Sequence, residues 1–299
     1  MARRPSIETL RQRFLVPQSL TVSEADVSQL ESCRVCGQVA RALFVGQVMD
    51  FKVQYFECPR CGYVQTEQPY WLDRAYRDVI NDSDTGIVAR NISNARITLA
   101  TLAMLGALDG RVVDYAGGYG LLVRMLRDYG IDALWQDPFC DNLVSRGFEY
   151  REGPALLVTA FEAFEHFVEP ATELRRMLEI APNILLSTMV IPMPAPRHED
   201  WWYYGREHGQ HIGLFRRQTL EALGAQTGKS LVSDGSFYHL FSDRPIKPRR
   251  WRALLRFNRL IPTLLRKRLS SRTWSDHLLM SRERVTTHRQ NPPSPAENK

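Results

Sequence analysis

Cys33-Arg-Val-Cys36 and Cys58-Pro-Arg-Cys61 form two C-x-x-C pairs separated by 21 residues, and each is followed at once by a glycine, Gly37 and Gly62. Thiolates delivered two at a time from tight bends suit a tetrahedral ion, with each glycine relieving its bend. Cys33, Cys36, Cys58 and Cys61 would fill the shell of a structural Zn2+ and leave no open position for catalysis. The competing arrangement is a pair of disulfides or redox dithiols. A cytoplasmic chain rarely keeps structural disulfides, and a duplicated pair is not a thioredoxin pattern. Cys140, the fifth cysteine, reads as an ordinary half-buried residue.

A second run, Val112-Val-Asp-Tyr-Ala-Gly-Gly-Tyr-Gly120, places Asp114, Ala116, Gly117, Gly118 and Gly120 where a strand ends and a helix begins. Small residues there let backbone approach a ligand at the C-terminal edge of a sheet, so the turn reads as a cofactor platform. A dinucleotide fingerprint starting at Gly118 and Gly120 would need Gly or Ala where Val123 stands, and no P-loop motif occurs in the chain. Here the chain resembles class I S-adenosylmethionine-dependent methyltransferases, whose first motif runs D/E-x-G-x-G-x-G; Asp114, Gly118 and Gly120 take matching positions and Ala116 replaces a glycine. The resemblance implies that Asp137, followed by Pro138, accepts hydrogen bonds from the ribose hydroxyls, and that Thr159, Phe161 and Glu162 line the cofactor.

Methyl transfer from a sulfonium is an in-line displacement, and a hydroxyl or carbon acceptor must also lose a proton. His166, just past an expected strand end, and His208 and His211, in an aromatic and polar loop, are the candidate bases. The neighbouring run Trp201 to Tyr204 suits stacking on a sugar or a lid packed on the core. The cysteine pairs, the Asp114 motif, Glu165-His166 and Gln210-His211 together resemble bacterial methyltransferases of nucleotide-linked sugars and polysaccharide clusters, over residues 30 to 242. That resemblance implies a sugar or glycan acceptor and brings in Tyr76 on the acceptor side. In the sugar C-methyltransferases a Tyr-His-Glu-His segment carries proton transfer; here His208, Gln210 and His211 stand at its first, third and fourth positions, which favours methylation of a hydroxyl. The alternatives are sugar C-methylation, RNA methylation, and a non-catalytic module that has kept the fold.

These residues need elements to hold them. The β-prone segments Ala42 to Val48 and Lys52 to Glu57 frame the cysteine unit, and Ile87 to Leu108 has helical spacing. From Arg111 strands (Arg111–Tyr115, Ala133–Gln136, Ala155–Thr159, Asn183–Val190) alternate with helices (Leu121–Tyr129, Ala171–Ile180), which predicts an α/β fold with a doubly wound, mostly parallel Rossmann-like sheet. A helix at Arg217–Thr227 and β-like pieces at Leu231–Val232 and Phe237–Phe241 complete it. The expected organisation is a lead (1–30), a zinc-binding module (31–66), a helical connector (67–109), an S-adenosylmethionine-binding domain (110–242) and a basic amphipathic tail (243–299) with a disordered end.

The chain carries a formal charge of +6, but eleven Lys or Arg and no Asp or Glu lie between Arg244 and Arg272, leaving about −5 for the rest. The basicity therefore belongs to the tail and argues against a nucleic-acid binder. Trp251, Leu254 and Leu255 suggest peripheral contact with an anionic membrane surface, or equally a helix docked on the protein itself. No run approaches the ~18 apolar residues of a membrane span, and no apolar stretch follows the basic start. A cytoplasmic protein, active at most at the inner face of the membrane, is expected.

Overall fold

The computed structural model describes residues 30–77 and 84–290, with side chains as far as Ser281. The expected lead up to residue 29, the middle of the connector (78–83) and the end expected to be disordered (291–299) lie outside the described residues.

The chain builds two sheets. The first is antiparallel and runs β1 (Leu30–Ser32), β2 (Val39–Val48), β3 (Phe51–Glu57), β4 (Val64–Thr66) and β9 (Gly213–Leu214). The second has the order β10–β11–β8–β7–β5–β6, from β5 (Val112–Tyr115), β6 (Ala133–Gln136), β7 (Leu157–Phe161), β8 (Asn183–Ser187), β10 (Ser230–Ser233) and β11 (Tyr238–Ser242). Strands β6, β5, β7 and β8 pair in parallel, and β11 runs antiparallel to both its neighbours. This is the expected mostly parallel, Rossmann-like arrangement of a class I methyltransferase fold. The eight α-helices of the described residues are α1 (Leu72–Ala75), α2 (Ile87–Leu105), α3 (Leu121–Asp128), α4 (Pro170–Ile180), α5 (Arg217–Thr227), α6 (Pro248–Phe257), α7 (Ile261–Leu265) and α8 (Thr273–Gln290).

Successive residues of the central strands point to opposite faces, and both faces are covered, which is why these strands read as unbroken apolar runs. Val113, Val158, Ile184 and Leu186 face one layer with Leu174 and Met177 of α4 and Leu220 and Leu223 of α5. Cys33, Val35, Phe56, Cys58, Cys61 and Tyr63 belong to that same cluster, so the cysteine unit shares its core with the main sheet. Val112, Leu157 and Leu185 face the other layer with α2 and α3, together with Trp251 and Leu265 of the tail.

One strand boundary read from the sequence needs correction. The strand from Asn183 ends at Ser187, and Val190 makes only an isolated bridge to Phe215. Of the aromatic run, Tyr203 and Tyr204 are buried with Val53, Tyr55 and Trp71, as in a lid packed on the core, while Trp201 is half-buried and Trp202 well exposed. In the tail, Trp251 is fully buried and Leu254 and Leu255 pack on the same cluster, so these three side chains are not free to meet a membrane. Helix α8 went unforeseen because charge, not apolar periodicity, docks it: Asp276, at 5% exposure, accepts from Arg127 Nη2 at 2.7 Å and from Arg124 Nη2 at 2.8 Å. Among the described residues, no helix is long and apolar enough to cross a membrane.

Candidate active site and metal centre

Each C-x-x-C pair folds as a tight turn in which the glycine after it adopts a left-handed φ, +69° at Gly37 and +72° at Gly62, and donates its N–H to the first cysteine's carbonyl at 2.8 Å. The two turns meet: the Sγ atoms of Cys33, Cys36, Cys58 and Cys61 lie within 4.8 Å of one another. Cys33 to Cys61 and Cys36 to Cys58 are each 3.5 Å apart, far longer than a disulfide and close to the ~3.7 Å edge of a tetrahedron with zinc–sulfur bonds of ~2.3 Å. The donor set therefore fits a four-coordinate Zn2+. Helix α5 clamps both turns, Thr219 Oγ1 donating to the Cys61 carbonyl at 2.7 Å and Gln226 Nε2 to that of Val35 at 2.9 Å.

The glycine-rich turn lies at the C-terminal end of β5. Asp114 is buried beneath it, and burial pushes its carboxyl up to about 7 against the pull of the Thr159 hydroxyl, which donates at 2.7 Å. Thr159 itself is fully buried, so it supports Asp114 from inside the sheet. A Cβ on Gly117 would stand 2.8 Å from Asp114 Oδ2 and 2.9 Å from Trp135 Cδ1, so only glycine fits over the acid. Ala116 has φ +57°, the left-handed region that favours glycine, and Gly120 has φ +84°. Asp137 joins this turn to the next: Oδ2 accepts from Gly118 N at 3.0 Å, and Oδ1 from Phe139 N at 2.8 Å and Cys140 N at 3.0 Å. Pro138 is exposed beside it, Phe161 and Glu162 are half-buried at the end of β7, and Arg90 Nε sits 2.5 Å from Glu162 Oε2. Burial pushes Glu162 up to about 7, with the Arg90 guanidinium opposing.

The Asp137 turn leads directly to the histidines. Phe139 stacks on Tyr76 at 5.9 Å between ring centroids, and the Tyr76 hydroxyl lies 3.1 Å from His166 Nδ1. His166 meets His211 edge-on at 4.9 Å, and His208 meets His211 at 4.8 Å. The structure thus gathers Tyr76, His166, His208 and His211, spread over 136 residues, into one cluster beside the glycine turn. His211 Nδ1 is 2.6 Å from the Tyr203 carbonyl, which can only accept, so the proton sits on Nδ1 and Nε2 keeps its lone pair. Burial holds all three histidines below their usual range, His208 and His211 at about 4, so each is neutral at pH 7.

Several members of the site were not foreseen as such. Glu165 is fully buried and accepts a short hydrogen bond from the Tyr203 hydroxyl, while its Oε2 has no partner; burial pushes it up to about 7. It adjoins His166 in sequence, but its contact with Tyr203 spans 38 residues and has no linear signature. Gln210 Nε2 donates to the Ala75 carbonyl at 2.8 Å, and Trp71 Nε1 donates to the Gly209 carbonyl at 2.8 Å, so the histidine loop and the Tyr76 segment hold each other. Strand β9 extends the cysteine-bearing sheet through β4, pairing Gln65 with Gly213 two residues after His211. His198 and His239 are bonded into the core, to Tyr55 and to Ser233 and Thr188.

Residues 89–233 match the family described as a methyltransferase domain, just under half of the chain. The matched segment spans the parallel strands β5 to β8, whose order is that of the class I, Rossmann-like methyltransferase fold. Among solved structures the chain is similar to TnmH, at 15% identity and TM-score 0.38 over 59% of this chain and 62% of that one. It is also similar to an O-methyltransferase family protein from Burkholderia thailandensis, at 16% identity and TM-score 0.42 over 60% of this chain and 64% of that one. Magnesium protoporphyrin IX methyltransferase from Synechocystis PCC 6803, with bound SAH, shares 13% identity at TM-score 0.39, over 58% of this chain and 95% of that one. No curated protein matches the sequence.

Proposed function

We propose that the chain methylates a sugar hydroxyl, on a nucleotide-linked sugar or a surface glycan, with S-adenosylmethionine as donor. The observation that carries this reading is the continuous line from Asp137 through Phe139 and Tyr76 to His166 and His211, which sets a proton acceptor beside the glycine turn. Gly118 and Gly120 would admit the cofactor's backbone-hugging portion, and Asp137 would accept from its ribose. The bound cofactor supplies an electrophilic methyl group. His211 Nε2 would take the acceptor's hydroxyl proton, leaving the oxygen free to receive the methyl group. Burial keeps His211 neutral at pH 7, so its lone pair is available to accept that proton. Tyr76 and His166 would orient the acceptor, and Trp202 offers it an exposed ring.

A second reading, methylation at a sugar carbon, is favoured by the Tyr76–His166 hydrogen bond, a Tyr/His pair able to move a proton. Under either reading Cys33, Cys36, Cys58 and Cys61 would hold Zn2+ as a staple that keeps β4 and β9 paired and so places His211.

The test is incubation with methyl-labelled S-adenosylmethionine and a panel of nucleotide sugars and surface glycans. Label should appear in a sugar product and disappear with His211→Ala while calorimetric cofactor binding persists; the position of the label separates oxygen from carbon. A wild-type chain that binds no S-adenosylmethionine overturns the proposal.

A further inference from the structure

Helices α6 and α7 sit on the main domain by one face only. Trp251, Leu254, Leu255, Ile261 and Leu265 are committed to the core shared with α2. On the other side Phe257, Leu260 and Leu264 are 52%, 56% and 70% exposed, an unusual outlay of large apolar side chains on one short segment. Arg252, Arg256, Arg259, Lys267 and Arg268 are exposed among them. Among the described residues, none of the eleven cations between Arg244 and Arg272 takes part in an ion pair. Protein surfaces normally intersperse both signs of charge; here carboxylates are missing over 29 consecutive residues.

We propose that this outward face of α6, α7 and the turn joining them (Asn258–Leu260) docks on an anionic lipid bilayer, with Phe257, Leu260 and Leu264 entering the headgroup boundary and the surrounding cations meeting lipid phosphates. An anionic bilayer supplies both complements at once, negative charge for the arginines and an apolar layer beneath it for the leucines. A nucleic acid would supply only the first, leaving Leu260 and Leu264 in water. The inserting residues are therefore not Trp251, Leu254 and Leu255, which the fold uses for itself.

Co-sedimentation of the full chain with vesicles tests this, using phosphatidylcholine alone against phosphatidylcholine with one third phosphatidylglycerol. Binding should require phosphatidylglycerol and weaken steeply as salt is raised. Arg256→Gln, Arg259→Gln and Lys267→Gln should each lower the partition coefficient about fivefold. Leu260→Ser with Leu264→Ser should lower it on the order of tenfold at unchanged thermal midpoint; should that pair unfold the protein, Leu264→Ser alone and the salt series decide. Failure to bind anionic vesicles, or equal binding to both compositions, overturns the proposal. So does retention of an RNA oligonucleotide, with vesicle binding unaffected by the leucine changes.

Discussion

Ala116 and Gly117 are neighbours in the cofactor turn, and their backbones ask for opposite residues. At φ +57° Ala116 occupies a conformation that costs an L side chain ~1–2 kcal/mol. Ala116→Gly relieves that strain, and the extra freedom of glycine in the unfolded chain takes back ~0.4–1 kcal/mol. The expected net gain is ~0.5–1 kcal/mol, or a rise of ~1–3 °C in Tm for a protein of this size. Gly117→Ala reverses the sign. Its Cβ would press to 2.8 Å from the buried Asp114 Oδ2, 2.9 Å from Trp135 Cδ1 and 3.1 Å from the Asp114 carbonyl. All three belong to atoms fixed by the sheet, so overpacking should cost ~1–3 kcal/mol. Cofactor affinity should fall with it, because Asp114 and the Gly118 amide are displaced together. Thermal unfolding with and without S-adenosylmethionine, together with calorimetric titration, measures both. A destabilised Ala116→Gly, or a Gly117→Ala indistinguishable from wild type, would refute the geometry of this turn.

Four other outcomes are expected. His211→Ala should lower kcat ~10²–10⁴-fold with little change in cofactor affinity, in single-turnover assays with labelled donor. With burial holding His211 and His208 at about 4, both are neutral above pH ~5, so kcat/KM should stay level across neutrality and fall only in acid, when the base is already protonated. Gln210→Glu removes the only donor offered to the Ala75 carbonyl from that side chain and should raise the acceptor KM, since a carboxylate cannot donate; an unchanged KM sinks the idea that this bond places Tyr76. Elemental analysis should find one zinc per chain, lost with Cys58→Ser. Because Cys58 and Cys61 share a core with Val158, Phe164 and Leu220, that loss should lower the melting of the whole protein in calorimetry and not of a separate N-terminal transition.

A single transition is expected although the linear order sets the zinc-binding module (31–66) apart from the domain at 110–242, because the cysteines share one core with the main sheet. Spacing alone picks out the four candidate ligands and their glycines, because C-x-x-C turns are local and close within five residues. Strand and helix order from Val112 to Thr227 was likewise legible, since apolar runs and helical periodicity are near-neighbour properties and the central strands are buried on both faces. Cofactor candidates followed from a motif that occupies nine consecutive residues, Val112 to Gly120.

Burial, pairing between distant segments and tautomer state were beyond that reading. Leu254 and Leu260 look alike in an amphipathic pattern, yet one packs on α2 and the other faces solvent, because helical spacing identifies a stripe and not what covers it. Helix α8 has no apolar periodicity to mark it, because Arg124 and Arg127 dock it by charge on Asp276, some 150 residues away. Cysteine ligands, glycine turn and βα order are thus the sequence's own, being set by contacts within a few residues. The meeting of Tyr76 with His166, the pairing of β4 with β9 and the orientation of His211 by the Tyr203 carbonyl belong to the tertiary structure, which alone brings such distant groups within hydrogen-bonding reach.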